Sequence, residues 1–240
     1  MAKTKRLLLI LLVLLGPGSI IYFIAKNVKN HFIELPYLGY EYTLDGNGNK
    51  IDSSAYQIPA FQLTRMDGQI IDNSTIAGNF IVLSTIQNNC PKIDECGLSP
   101  YLFNEIFFHK LVKNRDNYNN VKVISILTDQ DGQPLDSISD ELKDEMIDYD
   151  KSLWWFTTGE TLPFYNFNFY GKKFKDHPAD PASGEIGKFA FTNSLILIDD
   201  KGFVRAVTGA KSDSDIRNFF DMLKLLKKEE FDRNREQNKK

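Results

Sequence analysis

Cysteine and histidine are scarce in this 240-residue chain, which contains only two cysteines and three histidines. Neither cysteine lies near the amino terminus, and this excludes membrane attachment through a lipidated cysteine. A strong net charge is also lacking, because the formal charge is −3 and acidic and basic residues are interspersed up to the lysine-rich end. Nucleic acid is therefore not expected as a partner.

One long apolar run is present, over residues 7–25, with three basic residues among positions 3–6. About 20 apolar residues are enough for a helix to span a bilayer. A cleavable signal peptide is the alternative, because small residues occupy 16–19, but the apolar run continues past them and no Ala-x-Ala pattern precedes them. The preceding basic residues favour a cytoplasmic amino terminus. We therefore expect residues 1–26 to be a single-pass anchor in a bacterial inner membrane, with the remaining chain on the periplasmic side.

The rest of the chain predicts one domain between a connector and a tail. Residues 27–57 are a polar linker, and the Asp-Gly-Asn-Gly-Asn sequence at 45–49 indicates a turn within a small hairpin extension. Residues 58–228 carry the alternating strand and helix patterns of the main domain. Residues 229–240 form a charged tail, expected to be a frayed helix end or a disordered extension.

The order of elements in the main domain predicts an α/β fold. Apolar runs at 79–86 and 121–127 indicate buried strands, and between them a helix starts after Ser99, a capping residue, with Pro100 at its first position. Further helices are expected over residues 135–149 and 161–169. A strand hairpin over 194–208 is followed by a final amphipathic helix over residues 212–228. A thioredoxin-like sandwich has this order of elements, namely strand, loop, helix, strand, helix, strand, hairpin and helix.

The two cysteines, Cys90 and Cys96, directly follow the first buried strand, with five residues between them. Outside the cytoplasm, thiols are usually paired, metal-bound or catalytic. The helix that starts after them would favour thiolate formation through its amino-terminal amides. Cys90 and Cys96 are therefore the predicted site, either as a redox pair, as ligands of a soft metal ion such as Cu(I), or as a disulfide.

Several segments, taken in order, resemble the SCO/SenC family over roughly residues 58–227. The resemblance implies a membrane-anchored thioredoxin-like domain that binds copper or exchanges thiols and helps to assemble the binuclear copper centre of cytochrome c oxidase. It also implies a cytochrome c oxidase subunit, or another thiol protein of the envelope, as partner. The segments are Ile58–Gly68, the buried strand before Cys90-Pro91, Val121–Thr128, Trp154–Gly159 and Asp199–Gly202.

Two departures from the family pattern bear on copper. The family has three residues between its cysteines where this chain has five, and it supplies a histidine ligand just before the strand that starts here at Ser194. The matching window, residues 190–194, contains no histidine. Of the three histidines, His31 and His109 are interpreted as surface or structural residues, and His177, in an irregular loop, is kept as a candidate metal ligand. Two thiolates without that histidine favour Cu(I) over Cu(II).

Three functions remain open from the sequence. The first is a copper-handling assembly factor, and the second is a thiol–disulfide reductant that acts on another envelope protein through Cys90 and Cys96. The third is a copper-free scaffold in which the same pair forms a structural disulfide. The first two describe a metallochaperone or redox assembly factor rather than a turnover enzyme.

Overall fold

The computed structural model describes residues 34–87, 97–145, 149–180 and 187–237, with a few isolated positions before residue 34. The chain divides into two compact units, Met1–Glu34 and Leu35–Lys240. In the described part of the chain, no helix is both long and apolar enough to cross a bilayer. The anchor expected over residues 1–26 falls largely outside the described residues and stays a prediction.

The second unit alternates strands and helices along the chain. Its strands are β1 (Glu41–Leu44), β2 (Lys50–Ser54), β3 (Gln62–Arg65), β4 (Ile70–Asp72), β5 (Phe80–Gln87), β6 (Val121–Thr128), β7 (Trp154–Gly159), β8 (Asn168–Phe169), β9 (Lys172–Lys173), β10 (Ser194–Ile198) and β11 (Val204–Gly209). Its α-helices are α1 (Asn73–Ile76), α2 (residues 100–113), α3 (Asp140–Glu145), α4 (Leu162–Tyr165) and α5 (Asp213–Gln237). Short 3-10 helices occupy Phe174–Asp176 and Ala190–Asn193, and a π-helical segment, Asn104–Phe108, lies inside α2.

A mixed sheet with the strand order β11-β10-β5-β6-β7-β3-β4 organises this unit. Strands β5, β6 and β7 are parallel, and the pairs that flank them are antiparallel. The order β11-β10-β5-β6, with α2 connecting β5 to β6 and α5 following β11, defines a thioredoxin-like fold. The predicted α/β class and thioredoxin-like architecture are therefore confirmed.

Strand β5 shows why its sequence is apolar without alternation. Phe80, Val82 and Ile86 pack into one hydrophobic cluster with α2 and α5, whereas Ile81 and Leu83 pack into a second cluster on the other face of the sheet. Side chains of a strand alternate between faces, so a strand covered on both faces needs apolar residues throughout. The prediction of a fully buried strand at this position is confirmed.

Helices α3 and α4 are shorter than the sequence pattern indicated. The expected helix over residues 135–149 is described as helical only over Asp140–Glu145, and residues 146–148 lie outside the description. The helical pattern expected over 161–169 divides into α4 and strand β8. Aromatic residues crowd this region, and their burial in the core overrides the local helical periodicity.

Helix α5 is longer than expected, because it reaches Gln237 rather than ending near Lys228. Its last turns contain side chains that bind the body of the domain. Glu230 Oε1 accepts a hydrogen bond from Asn120 Nδ2 at 2.8 Å, and Arg233 forms an ion pair with Asp200 at 2.5 Å. The charged sequence after residue 228 therefore continues the helix, since its polar side chains have partners.

Arg205 is the centre of a buried polar group, here called the arginine cluster, formed by Arg205, Asp199 and Glu229. Its guanidinium lies 3.1 Å from Asp199 Oδ2 and 2.7 Å from Glu229 Oε2, and it also donates to the backbone carbonyl of Pro36. Burial opposes the charged guanidinium, but the hydrogen bonds and charges of Glu229 and Asp199 outweigh it and raise the pKa of Arg205. Each of the three guanidinium nitrogens of this buried cation donates to at least one acceptor.

Candidate functional site

The candidate site lies where the two central parallel strands end. Strands β5 and β6 are paired from Phe80↔Val121 to Gln87↔Thr128, so they end at the same level of the sheet. The chain leaves β5 at Gln87, and the description resumes at Gly97. Cys90 and Cys96 lie between these points, outside the described residues, so their roles as redox pair or metal ligands stay predictions.

Beyond the cysteines, the chain enters helix α2 through a regular cap. Ser99 is extended, and its side chain accepts a hydrogen bond from the backbone N–H of Leu102 at 3.3 Å, while Pro100 occupies the first turn. The cap and the proline are confirmed as predicted. Helix α2 thus begins four residues after Cys96, and the partial positive charge of a helix amino terminus favours thiolate over thiol in its neighbourhood.

The 3-10 helix Ala190–Asn193 packs against the end of β5. Thr85 Oγ1 donates a hydrogen bond to the carbonyl oxygen of Thr192 at 3.3 Å. Gly97 approaches the same segment so closely that a Cβ atom there would lie 2.2 Å from both Thr192 O and Asn193 Oδ1. The window in which the family resemblance places a histidine ligand is therefore adjacent to the residue that follows Cys96, but threonine and asparagine occupy it.

His177 lies at the edge of an aromatic cluster. Its Nε2 is 2.7 Å from the carbonyl oxygen of Phe169, and because a carbonyl can only accept, Nε2 carries the proton of this hydrogen bond. The imidazole also contacts the rings of Phe169 and Phe174, with centroid distances of 5.7 and 6.1 Å. Its backbone carbonyl accepts from Ala190 N at 2.9 Å. Metal ligation by His177 stays a prediction, and in this orientation only Nδ1 is available for it.

The other two histidines contribute nothing to the described site. His109 is exposed on helix α2, and His31 lies outside the described residues. Neither position brings an imidazole to the ends of β5 and β6 in the part of the chain that can be described.

Two polar residues at the strand ends were not identified from the sequence. Gln87 and Thr128 are register partners, 7% and 0% exposed, and neither Gln87 Nε2 nor Thr128 Oγ1 has a hydrogen-bond partner among the described residues. An unmade hydrogen bond of a buried group costs about 1–3 kcal/mol. The sequence contained a signal for both, since each is the polar last residue of a mostly apolar strand. Gln87 Nε2 and Thr128 Oγ1 are thus potential hydrogen-bond donors at the ends of β5 and β6.

A buried polar network connects the three central strands. The hydroxyl groups of Ser84 and Ser125 are 2.8 Å apart, and Trp154 Nε1 donates to Ser125 Oγ at 2.9 Å. All three side chains are at most 1% exposed. Trp154 is a packing residue, because its indole lies in the hydrophobic core and its N–H is bonded. The network holds β5, β6 and β7 in fixed register beside the candidate site.

The described surroundings do not fit a copper site completed by an imidazole. No group of three or more His, Cys, Asp or Glu residues that could hold a metal occurs in the described ranges. The polar side chains at the ends of β5 and β6 and on the adjacent 3-10 helix carry hydroxyl and amide groups, whereas copper(I) prefers sulfur and copper(II) prefers imidazole nitrogen. These side chains are Thr85, Gln87, Thr128, Thr192 and Asn193.

Comparison with known proteins gives similarity at low sequence identity. No family model matches the chain, and no curated protein matches it. Among solved structures, a SCO1/SenC family lipoprotein from Bacillus anthracis is 24% identical, with a TM-score of 0.48, over 71% of this chain and 95% of that one. BsSco, a member of the Sco family of cytochrome c oxidase assembly proteins, is 20% identical, with a TM-score of 0.45, over 70% and 92%.

A further similar structure belongs to a different functional group. A putative thiol:disulfide interchange protein DsbE from Chlorobium tepidum is 14% identical, with a TM-score of 0.43, over 71% of this chain and 95% of that one. The thioredoxin-like class follows from the strand order described above. The solved structures similar to this chain thus include both Sco proteins and a thiol:disulfide interchange protein.

Proposed function

We propose that this protein is a membrane-anchored, periplasmic thiol–disulfide exchange protein that uses Cys90 and Cys96 to reduce the cysteines of a client protein. The proposal rests on the residues that lie beside Gly97. There the segment that would supply a copper-binding imidazole presents Thr192 and Asn193 instead. A dithiol at the end of β5, next to the amino terminus of α2, retains what thiol exchange needs, whereas copper binding loses a ligand.

The reaction balances with the two cysteines alone. One thiolate attacks a client disulfide, so that a mixed disulfide forms and one client sulfur leaves as a thiolate, which takes a proton from solvent. The second cysteine then attacks the mixed disulfide and releases the second client thiol. The client gains two electrons and two protons, and the Cys90–Cys96 disulfide is formed. A dithiol reductant of the envelope must return those electrons for another cycle.

The client we propose is the copper-bearing subunit of cytochrome c oxidase, in line with the SCO/SenC resemblance. The alternative client is another envelope protein with a disulfide.

A second candidate function is Cu(I) delivery to the same client. The hydroxyl and amide groups at the ends of β5 and β6 are poor copper ligands, so a bound ion would be held by the two thiolates, an arrangement that suits Cu(I) and not Cu(II). Copper is then cargo of the site, and His177 Nδ1 is the one histidine nitrogen proposed as an additional ligand.

The test compares exchange and copper binding in the full-length protein in detergent. The reduced protein should convert an oxidised two-cysteine peptide to its dithiol with one-to-one stoichiometry, and Cys90→Ser and Cys96→Ser should each abolish this conversion. Titration with Cu(I) against a competing chelator tests the second candidate, with His177→Ala compared with His109→Ala, whose histidine is exposed on α2. Tight Cu(I) binding without peptide reduction would replace the first function by the second. A disulfide that dithiol reductants cannot open would contradict both functions.

A further inference from the structure

Strands β1 and β2 form a hairpin that is exposed on both faces. Every residue of both strands is exposed, including Tyr42 at 50%, Leu44 at 55% and Ile51 at 64%. Two-stranded hairpins are marginally stable in water, and apolar side chains on an uncovered surface indicate contact with another surface. The hairpin therefore lacks an apolar cover in the part of the domain that is described.

The hairpin continues into an aromatic surface, here called the tyrosine face. Tyr40 and Tyr170 are 39% and 89% exposed. Asn168 Nδ2 donates to the carbonyl of Tyr40 at 3.0 Å and so fastens the two chain segments together. The residues of the tyrosine face border one shallow cavity of about 330 Å³, and they are Tyr37, Tyr40, Tyr42, Phe169 and Tyr170.

Tyr170 is presented by a strained turn. It connects β8 to β9 together with Gly171, and both residues have positive φ, +43° and +87°. A two-residue hairpin turn of this kind favours asparagine, aspartate or glycine, and a tyrosine there is unfavourable. The turn nevertheless holds the most exposed aromatic ring of the face outward. Strain of this kind is tolerated where a residue has a function beyond packing.

The beginning of the described chain is fixed to the domain body beside this face. Leu38 N donates to the carbonyl of Val204 at 2.9 Å, and the guanidinium of Arg205 lies 4.2 Å from the ring centroid of Tyr37. The apolar run of the sequence ends at residue 25, which leaves residues 26–34 as the link. Nine residues can extend over at most about 30 Å. The tyrosine face therefore lies within a short reach of any bilayer that the apolar run enters.

We propose that the tyrosine face is a membrane-docking surface that inserts its rings into the interfacial region of the same bilayer. Tyrosine is enriched at this depth, because its ring is apolar and its hydroxyl can remain hydrated. The charges of the two hairpins balance in sign, and Lys173 pairs with Glu41 at 2.7 Å. These charged residues are Glu41, Asp45 and Asp52 on one side and Lys50, Lys172 and Lys173 on the other. The contact is therefore with the lipid interface in general and not with anionic headgroups. The inference uses the proposed anchor and is independent of the thiol chemistry.

The test places a fluorescent reporter on the face in the full-length protein. Tyr170→Trp and, as matched control, Tyr101→Trp are reconstituted in phosphatidylcholine vesicles with or without brominated acyl chains. Tyr101 is also a highly exposed tyrosine, at 60%, but it lies on helix α2. The emission of unmodified protein, from the buried Trp154 and Trp155, is subtracted. We expect brominated lipid to remove most of the emission added by Tyr170→Trp and little of that added by Tyr101→Trp.

Each other outcome contradicts the proposal. Equal quenching of the two variants would mean that the contact is not specific to the face, and no quenching of either would place the face in water. Protein that fails to float with the vesicles would remove the anchor on which the contact depends. Quenching of Tyr170→Trp that appears only when vesicles are in large excess over protein would indicate that a second copy of the chain covers the face. Peptide reduction by the same samples reports separately on the proposed function.

Discussion

The two ends of strand β5 carry buried polar groups that differ in how fully they are hydrogen-bonded. Where β5 begins, Ile81 pairs in register with Ile198, and the adjoining arginine cluster gives Arg205 two carboxylates and backbone carbonyls as acceptors. Where β5 ends, Gln87 and Thr128 lack partners among the described residues. Buried polar groups are nearly always bonded, so the first end has a structural role, whereas Gln87 Nε2 and Thr128 Oγ1 at the second end have no hydrogen bond within the described ranges.

Arg205→Met should give the largest loss of stability. The substitution leaves Asp199 and Glu229 buried without their cation, and removing one partner of a buried ion pair costs about 3–5 kcal/mol. Urea unfolding measures the effect. The control is Arg217→Met, because Arg217 pairs with Asp213 at 3.8 Å on the exposed side of α5, where such a pair contributes at most about 0.5 kcal/mol. Similar losses for both variants would show that the arginine cluster is not structural.

Gly97→Ala should disturb the other end of β5. Its Cβ would meet Thr192 O and Asn193 Oδ1 at 2.2 Å, and overpacking of this kind typically costs about 1–3 kcal/mol. Separation of Gly97 from the 3-10 helix should also slow peptide reduction. Gly46→Ala is the control, since no atom lies within 4 Å of a Cβ built there. If Gly97→Ala behaved like Gly46→Ala in urea and in the peptide assay, close packing at the site would be refuted.

Gln87→Met should slow peptide reduction without lowering the stability of the domain. Methionine keeps the shape of the side chain and removes the unbonded amide, so we expect the free energy of unfolding to stay constant or rise by about 1 kcal/mol. Peptide reduction should become slower, because a donor beside the cysteine loop is lost. Gln62→Met, at an exposed position of β3, is the control for the same change of residue type. A clear loss of stability in Gln87→Met alone would mean that the amide has a structural partner.

Ionisation of Tyr56 should destabilise the domain at alkaline pH. Burial and the charge of Glu41 raise the pKa of Tyr56 from 10.0 to about 12, and its hydroxyl donates to the carbonyl of Pro163 at 2.8 Å. The folded state thus holds the phenolic proton more tightly, so this contribution is complete below pH 10 and is lost as pH rises to about 12. Unfolding measured across this interval should show a shallower decline in Tyr56→Phe. Tyr101→Phe, at an exposed position, should leave the decline unchanged.

Much of the fold could be predicted from local sequence patterns. The runs Phe80–Gln87 and Val121–Thr128 are apolar enough to require burial on both faces, and Ser99-Pro100 marks the start of α2. Helix α5 could be predicted only up to the end of its apolar face. Its extension to Gln237 depends on Glu229, Glu230 and Arg233, whose partners are distant in sequence.

The candidate site, like the fold, was predictable from the sequence only in part. The sequence by itself determined that Cys90 and Cys96 follow a buried strand and that no histidine occupies residues 190–194, because residue identity and order require no folding. The tertiary structure decided that this window lies against Gly97, that the imidazole of His177 is bonded to Phe169, and that Gln87 and Thr128 end side by side. These are contacts between residues far apart in the chain, and strand register and packing fix them, whereas local periodicity carries no information about them.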